Sequence, residues 1–366
     1  MPVEHNRNHP DLHQPWSQWA EDQILHMVLV YNNPFRWESK RRLFNDCARH
    51  FLSCPNVRSY RVELAYGDRP FEVTDPTQNP NDIQLRNQCE MWHKENLINL
   101  AVQRFPSDYR YGGYSDADFH FTRYDWALEA IQLLQHHPWV QNFSTYADLT
   151  AEAPSSWDGH RPYRLNSSFA WNYTHQDLFL QSRMEQAKAD PGYFKRLLPS
   201  KAFPFGYWPG APGGSWSWTR EGFNATGGLL DTCILGSGDY HMAIGLARLP
   251  DAHAEMDLGL AEYTNLITQW QKRAGALTLA RGNIGCVDNF ATHMWHGNKR
   301  RRGYGDRPAI LKGRKFNPLR DISRDWQGVW QWSGTNPLLR EDVRRYFLTR
   351  DEDSVELLDG AGRPLV

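Results

Sequence analysis

Apolar positions fall into short runs along this chain rather than long stripes, and the first clear run is Ile24 to Val30. It is partly β-branched and ends in Tyr31-Asn32-Asn33-Pro34, which predicts a buried strand closing in a turn. Ser39 to Leu52 sets Leu43, Cys47 and Phe51 on one stripe and predicts a helix. Val57 to Ala65 alternates, so a second strand is expected, with Glu63 near its end. Arg86 to Phe105 predicts a helix with an approximate stripe, stopped by Pro106. Tyr111-Gly112-Gly113-Tyr114-Ser115-Asp116-Ala117-Asp118 then reads as a third strand breaking into a loop. A helix at Asp125 to Gln135 and a strand at Val140 to Thr145 complete the first half.

Strands alternating with helices predict an α/β fold with a mostly parallel mixed sheet flanked by helices. Pro154 to Gly214 is rich in Pro, Gly, Trp and Tyr, and predicts long loops with one helix near Asp177 to Ala189. Beyond it, a strand is expected at Gly213 to Trp218 and helices at Arg220 to Ala225, Tyr240 to Leu249 and Asp257 to Ala274. A strand at Asn283 to Phe290 runs toward His293-Met294-Trp295-His296, and a last helix is expected from Pro337 to Thr349.

With 366 residues the chain can bury a large core, and 40% hydrophobic with 23% charged residues is ordinary for a globular protein. Its 16 Trp are not ordinary, because indole serves the core and also stacks on sugars and bases. Five cysteines without paired spacing are expected as free thiols in a reducing compartment. The N-terminus lacks the pattern of a secretory signal and no apolar run is long enough for a membrane span, so a cytoplasmic protein is expected. The net charge of −1 hides an asymmetry: Lys299 to Arg324 holds ten Lys or Arg against Asp306 and Asp321. A basic segment on an acidic body predicts a local phosphate partner.

Four constellations carry candidate chemistry. Asp116 and Asp118 leave the same face of an extended segment, and two convergent carboxylates call for a cation between them. Mg²⁺ or Mn²⁺ would keep positions open for substrate phosphates. His293 and His296 are three apart and can join such a site, which favours Mn²⁺; each could equally be hydrogen-bonded in the core. Lys299 to Arg302 follows directly, as a phosphate grip or a solvated loop. Asp239, after Gly236 and Gly238 and before an apolar helix, is either a helix cap or a general base for an acceptor hydroxyl. Lys94 could reach the carboxylates or a phosphate. No dinucleotide-binding glycine motif, Walker loop, nucleophile elbow or cysteine zinc pattern competes.

In this order the motifs resemble a GT-A nucleotide-sugar glycosyltransferase: Asp-X-Asp at 116–118, Gly213-Gly214-Ser215-Trp216, Gly236-Ser237-Gly238-Asp239, and a late histidine. Trp92 to Asn96 and Trp295 to Lys299 are similar to stretches of uncharacterised phage-type glycosyltransferases. The resemblance implies a Rossmann-like GT-A domain over 23–350, with a nucleotide-sugar half at 23–150 and a loop-rich insertion at 151–212. An acceptor and metal half at 213–298 would follow, then a basic segment and C-terminal helix at 299–350. Residues 1–22 would be an arm and 351–366 a tail.

The resemblance further implies a UDP-sugar donor and a Mn²⁺ or Mg²⁺ site of Asp116, Asp118, His296 and His293. In it Asp118 binds the ion directly, Asp116 binds the ribose or the ion through water, and His296 or His293 is a further ligand. Asp239 would be the catalytic base of an inverting reaction. Donor contacts would come from Tyr31, Asn32, Glu63, Lys94, Asp116, Lys299 and Arg302. Acceptor contacts would come from Gly214, Trp216, Trp218 and His241. The acceptor named first is a hydroxymethylated pyrimidine in phage DNA, which would put the protein in the host cytoplasm; a glycan, protein or small molecule is the alternative. No membrane and no obligate protein partner is implied. A nucleotidyltransferase and a non-catalytic carbohydrate- or DNA-binding module are the rivals from other classes.

Overall fold

The computed structural model describes residues 23–151, 164–175, 210–251 and 253–354, without the side chains of Lys299 and Arg300. The arm, the helix expected near Asp177 to Ala189 and most of the loop-rich insertion lie outside the described residues.

The chain begins β1 (Leu25–Asn32), α1 (Glu38–Ser53), β2 (Val57–Tyr66) and β3 (Asp82–Asn87). It continues through α2 (Lys94–Val102), β4 (Tyr111–Ser115), β5 (Phe119–Phe121), α3 (Trp126–Leu133) and β6 (Trp139–Gln141). Next come β7 (Thr145–Asp148), β8 (Arg164–Ser167), α4 (Phe169–His175), β9 (Ser215–Thr219) and α5 (Arg220–Thr226). Then follow α6 (Gly238–Leu246), α7 (Ala261–Arg281), β10 (Gly285–Cys286), β11 (Phe290–His293) and α8 (Asp306–Gly313). The hairpin β12 (Ile322–Arg324) and β13 (Trp330–Trp332) precedes α9 (Pro337–Thr349).

Seven strands form one sheet in the order β10-β6-β9-β4-β1-β2-β3. Every pairing is parallel except those of β9, which runs antiparallel to both β4 and β6. This is the mostly parallel mixed sheet flanked by helices that the alternation predicts. β1 shows why both faces must be covered: Leu25, Met27 and Leu29 pack with Phe44, Phe51 and Trp126 on one face. Val28 points the other way, into a cluster with Val62, Leu97 and Ile98. Chain order reverses at β1, with β2 on one side and β4 on the other, so a crevice opens beyond the carboxyl ends of β1 and β4. In a second sheet, β5-β11-β7-β8, the antiparallel pairing of β5 with β11 sets His293 opposite Phe119, next to Asp118.

Two local expectations change. The helix expected over Arg86 to Phe105 covers only Lys94–Val102, because Arg86 and Asn87 end a strand and the Asn87 side chain accepts the Gln88 and Cys89 amides in the turn that follows. The strand expected over Val140 to Thr145 is split, since Asn142 turns inward to bond Ser215 Oγ at 2.8 Å and the chain changes sheets. Among the described residues no helix is long and apolar enough to cross a membrane, and all five cysteines are free.

Candidate functional site

A cleft of about 750 Å³ lies outside the carboxyl ends of β1 and β4. Tyr31, Asn32, Lys94, Asp116, Asp118, Asp239, His293, His296 and Arg302 all line it. These positions are spread over more than two hundred residues of sequence, and the switch of sheet direction brings them together.

At its floor, Asp118 faces the two histidines. Its Oδ2 lies 2.9 Å from His296 Nε2 and 3.5 Å from His293 Nε2. The two Nε2 atoms are 3.3 Å apart. Each ring is held from behind: His293 Nδ1 is 2.6 Å from Asp148, and His296 Nδ1 is 3.2 Å from Glu352. With each Nδ1–H assigned to its carboxylate, both Nε2 atoms face Asp118 as acceptors, the arrangement that orients metal-binding histidines. His296 Nε2 here also accepts an Arg302 N–H at 2.9 Å, which a bound ion would displace. Asp118 Oδ1 is buried and has no hydrogen-bond partner among the described residues. An orphaned carboxylate oxygen beside two convergent imidazoles fits a divalent cation with mixed O and N ligands. Burial pushes the Asp118 carboxyl up, but His293 and His296 pull it well below the carboxylate range. Burial lowers His293, and Asp118 with Asp148 raises it to about 9. Metal binding would release that proton.

Asp116 differs from the expectation. The pair follows β4 in the expected loop, but the segment is a turn rather than extended, and the two carboxylates take different partners. Asp116 Oδ1 accepts Lys94 Nζ at 2.9 Å, and its Oδ2 accepts the Gly214 amide at 3.3 Å. The convergent metal-ligand set is Asp118, His293 and His296, without Asp116. Burial raises the Asp116 carboxyl, and Lys94 offsets that only in part.

Asp239 stands in the first turn of α6, after Ser237 at φ 75°. The N-cap position is Ser237, but Asp239 Oδ1 still accepts the Tyr240 amide at 2.9 Å, one of the helix's free N-terminal donors. Its Oδ2 lies against the bare α carbon of Gly213, where a Cβ would collide with it. Glycine at 213 is thus a condition for placing Asp239 at the wall of the cleft.

Other expected contacts move elsewhere. Glu63 is buried away from the cleft, accepting the amides of Glu72, Val73 and Thr74 and so fixing that loop. Trp216 and Trp218 are core residues, as the pleat of β9 turns both indoles into the cluster with Tyr114 and Trp139. His241 is fully buried between Asp251, at 2.6 Å, and Glu255. Gly214 contributes backbone to Asp116 rather than a wall of the cleft. The Lys299 side chain lies outside the described residues.

The structure adds residues that the sequence reading passed over. Glu352, in the stretch expected to be a tail, is buried and bonds Arg350 at 2.8 Å, Lys40 at 3.5 Å and His296. Its signal was Arg350-Asp351-Glu352-Asp353, an acidic cluster directly after a helix. Arg307 and Tyr304 also line the cleft. Four of the basic segment's ten cations are paired with acids: Arg301, Arg314, Arg320 and Arg324 with Asp351, Asp342, Asp321 and Asp231.

No protein-family profile and no curated protein matches this sequence, so the likeness to phage-type glycosyltransferases rests on its motifs alone. Among solved structures, 4-diphosphocytidyl-2C-methyl-D-erythritol synthase from Anaerococcus prevotii is 7% identical, with a TM-score of 0.31 over 74% of this chain and 89% of that one. GalNAc-T7, solved with UDP, GalNAc and Mn²⁺, is 11% identical, with a TM-score of 0.35 over 78% of this chain and 48% of its own. This chain therefore spans about half the length of GalNAc-T7. At these TM-scores neither likeness carries an argument, and the function is argued from the cleft.

Proposed function

We propose that the protein is a metal-dependent glycosyltransferase that moves a sugar from a nucleoside-diphosphate sugar, a UDP-sugar first among them, to an acceptor hydroxyl. The observation that supports this best is the orphaned Asp118 oxygen beside two imidazole nitrogens, in a cleft that also holds Asp239 and Arg302. Asp118, His293 and His296 would hold Mn²⁺, with Mg²⁺ the harder alternative. Such an ion supplies positive charge to a departing diphosphate.

This chain's own residues would do the rest. Arg302 adds a fixed charge beside His296, 2.9 Å away, and Lys299 adjoins it in sequence. Tyr31 and Asn32, at the carboxyl end of β1, would line the nucleotide, and Lys94 would hold Asp116 toward its ribose. In an inverting transfer, the acceptor oxygen bonds to the anomeric carbon, the bond to the diphosphate oxygen breaks, and Asp239 takes the acceptor proton.

A hydroxymethylated pyrimidine in DNA is one acceptor to test. Its support is reduced by the ion pairs that occupy four of the segment's cations. DNA binding that does not weaken with salt would remove it.

The deciding experiment is a thermal-shift and donor-hydrolysis panel of UDP-, GDP- and TDP-sugars with Mn²⁺, Mg²⁺ or EDTA. Metal-dependent stabilisation by one nucleotide sugar, lost in Asp118→Ala, is the expected result. No such stabilisation by any of them refutes the reading. Pyrophosphate release from a nucleoside triphosphate without sugar transfer would replace it with a nucleotidyltransferase, and metal-independent ligand binding would replace it with a binding module.

A further inference from the structure

Among the described residues, two buried guanidiniums line the cleft with no carboxylate in direct contact, Arg302 and Arg307. Arg302 belongs to the metal corner, where a terminal nitrogen lies 2.9 Å from His296 Nε2. Arg307, on α8, belongs to the other end. Its Nε donates to Tyr346 Oη at 2.8 Å and one terminal nitrogen donates to Ser237 Oγ at 3.2 Å. Ser237 is two residues before Asp239. Gly236, at φ 94°, lets the guanidinium come so close that a Cβ there would lie 2.9 Å from it. Arg307 is therefore seated at the start of α6, in the same cleft as Asp239.

Tyr304 stands between the two cations. Arg302 reaches its hydroxyl at 3.4 Å, while Arg307 lies over its ring, 4.7 Å from the centroid. The two charges thus serve different parts of the cleft. Arg307 is only 6% exposed, and among the described residues its partners are neutral hydroxyls and aromatic faces. The Glu255 carboxylate is one hydrogen bond further on, 3.1 Å from Ser237 Oγ. A buried cation without a direct counter-charge is still costly, and a rigid fork held by two hydroxyls is preorganised for a planar or tetrahedral anion.

His253 supplies a second donor on the same wall. It lines the cleft, and its Nδ1 accepts the Glu255 amide at 3.2 Å, which assigns the proton to Nε2.

We propose that Arg307, with His253, forms an anion subsite beside Asp239, separate from the diphosphate site. Its ligand is a carboxylate or phosphate on the groups that meet there, the transferred sugar or the acceptor. The inference rests on the glycosyltransferase reading for the names of those groups, but the subsite itself does not depend on it.

The test uses the full chain and thermal shift. One arm saturates the protein with Mn²⁺ and UDP and adds glycerol phosphate, with glycerol as control. Another compares UDP-glucuronate with UDP-glucose. A further rise with glycerol phosphate assigns the anion to the acceptor, and tighter binding of the glucuronate assigns it to the sugar. In either case Arg307→Gln weakens the anionic ligand on the order of tenfold or more relative to its neutral twin. Arg307→Lys and Ser237→Ala, milder changes at the same place, give smaller losses in the same direction. If glycerol phosphate only competes with UDP, or no variant separates the anionic ligand from the neutral one, the proposal is overturned. Asp118→Ala keeps the two readings apart: it removes metal-dependent UDP binding and leaves glycerol phosphate binding at Arg307 intact.

Discussion

Lys94 offers the sharpest test of how the cleft holds its charges. Its Nζ lies 2.9 Å from Asp116 and 3.8 Å from Glu95, over the ring of Tyr114 at 5.2 Å. Burial lowers its pKa, yet Asp116, then Tyr114, Glu95 and Asp239, hold it well above the ordinary lysine value. Lys94→Met would leave Asp116 buried near Asp118 and Asp239 with no cation. Breaking a fully buried pair costs about 3–5 kcal/mol. The Asp116 side chain keeps 27% of its exposure, so the lower figure of roughly 2–3 kcal/mol applies here. A chain of 366 residues unfolds with an entropy of roughly 0.8 kcal/mol/K, which makes the expected fall in Tm about 3–4 °C. Asp116→Asn added to that variant removes the stranded charge and should return most of the loss. Melts of the wild type, both single variants and the double variant, taken in EDTA, measure the coupling directly. If the double variant melts as low as the two single losses added together, Lys94 and Asp116 are not the pair described above.

Three further outcomes follow from the same geometry. Glu352→Gln loosens His296 from behind and should weaken Mn²⁺ binding roughly 10- to 100-fold by calorimetric titration, as loss of an outer partner does; wild-type affinity would count against His296 as a ligand. Gly213→Ala should barely change Tm, because the obstructing atom is the mobile end of Asp239, but should lower kcat on the order of a hundredfold by displacing that carboxylate. Unchanged kcat would remove Asp239 from the reaction. Burial lowers His241, but Asp251 and Glu255 raise it to about 10. A raised histidine stabilises the fold fully below its unfolded value near 6.5, and the contribution is lost as pH climbs through about 10. The Tm gap between wild type and His241→Asn should therefore narrow over that window, and a gap independent of pH contradicts the assignment.

The legible part of this site lay at strand ends. Tyr31, Asn32, Asp116 and Asp118 are polar residues placed directly after apolar runs, and a parallel sheet must deliver such positions to one edge. His293 and His296 were legible for the same reason, at the end of β11. Contacts made across long separations left no local trace. Glu352 reaches His296 from 56 residues away, and Asp148 reaches His293 from 145, through a neighbouring strand. Residue type misled at Trp216 and Trp218, since an indole that could stack on a sugar is as readily a core side chain, and only the pleat of β9 decides which. Asp116 and Asp118 show the remaining gap. Their spacing predicts convergence only in an extended segment, and the turn after β4 separates them.

Polar satisfaction supplies the last step. Away from the cleft, buried charges such as Asp82 and His241 are matched: Arg61 pairs with Asp82, and Asp251 and Glu255 pair with His241. Within it, Asp118 Oδ1, Arg302 Nε and Arg350 Nη1 are buried without a hydrogen-bond partner. Each such group costs about 1–3 kcal/mol or more when charged, a cost that stability alone gives no reason to retain. One is an acceptor and two are donors, and all belong to residues that line the same cavity. A ligand that satisfies them must bring positive charge to Asp118 and acceptor oxygens to the arginines. A metal ion carrying a phosphorylated substrate does both at once, which is why the cleft's unmet bonds, more than any single motif, support a metal-dependent transferase.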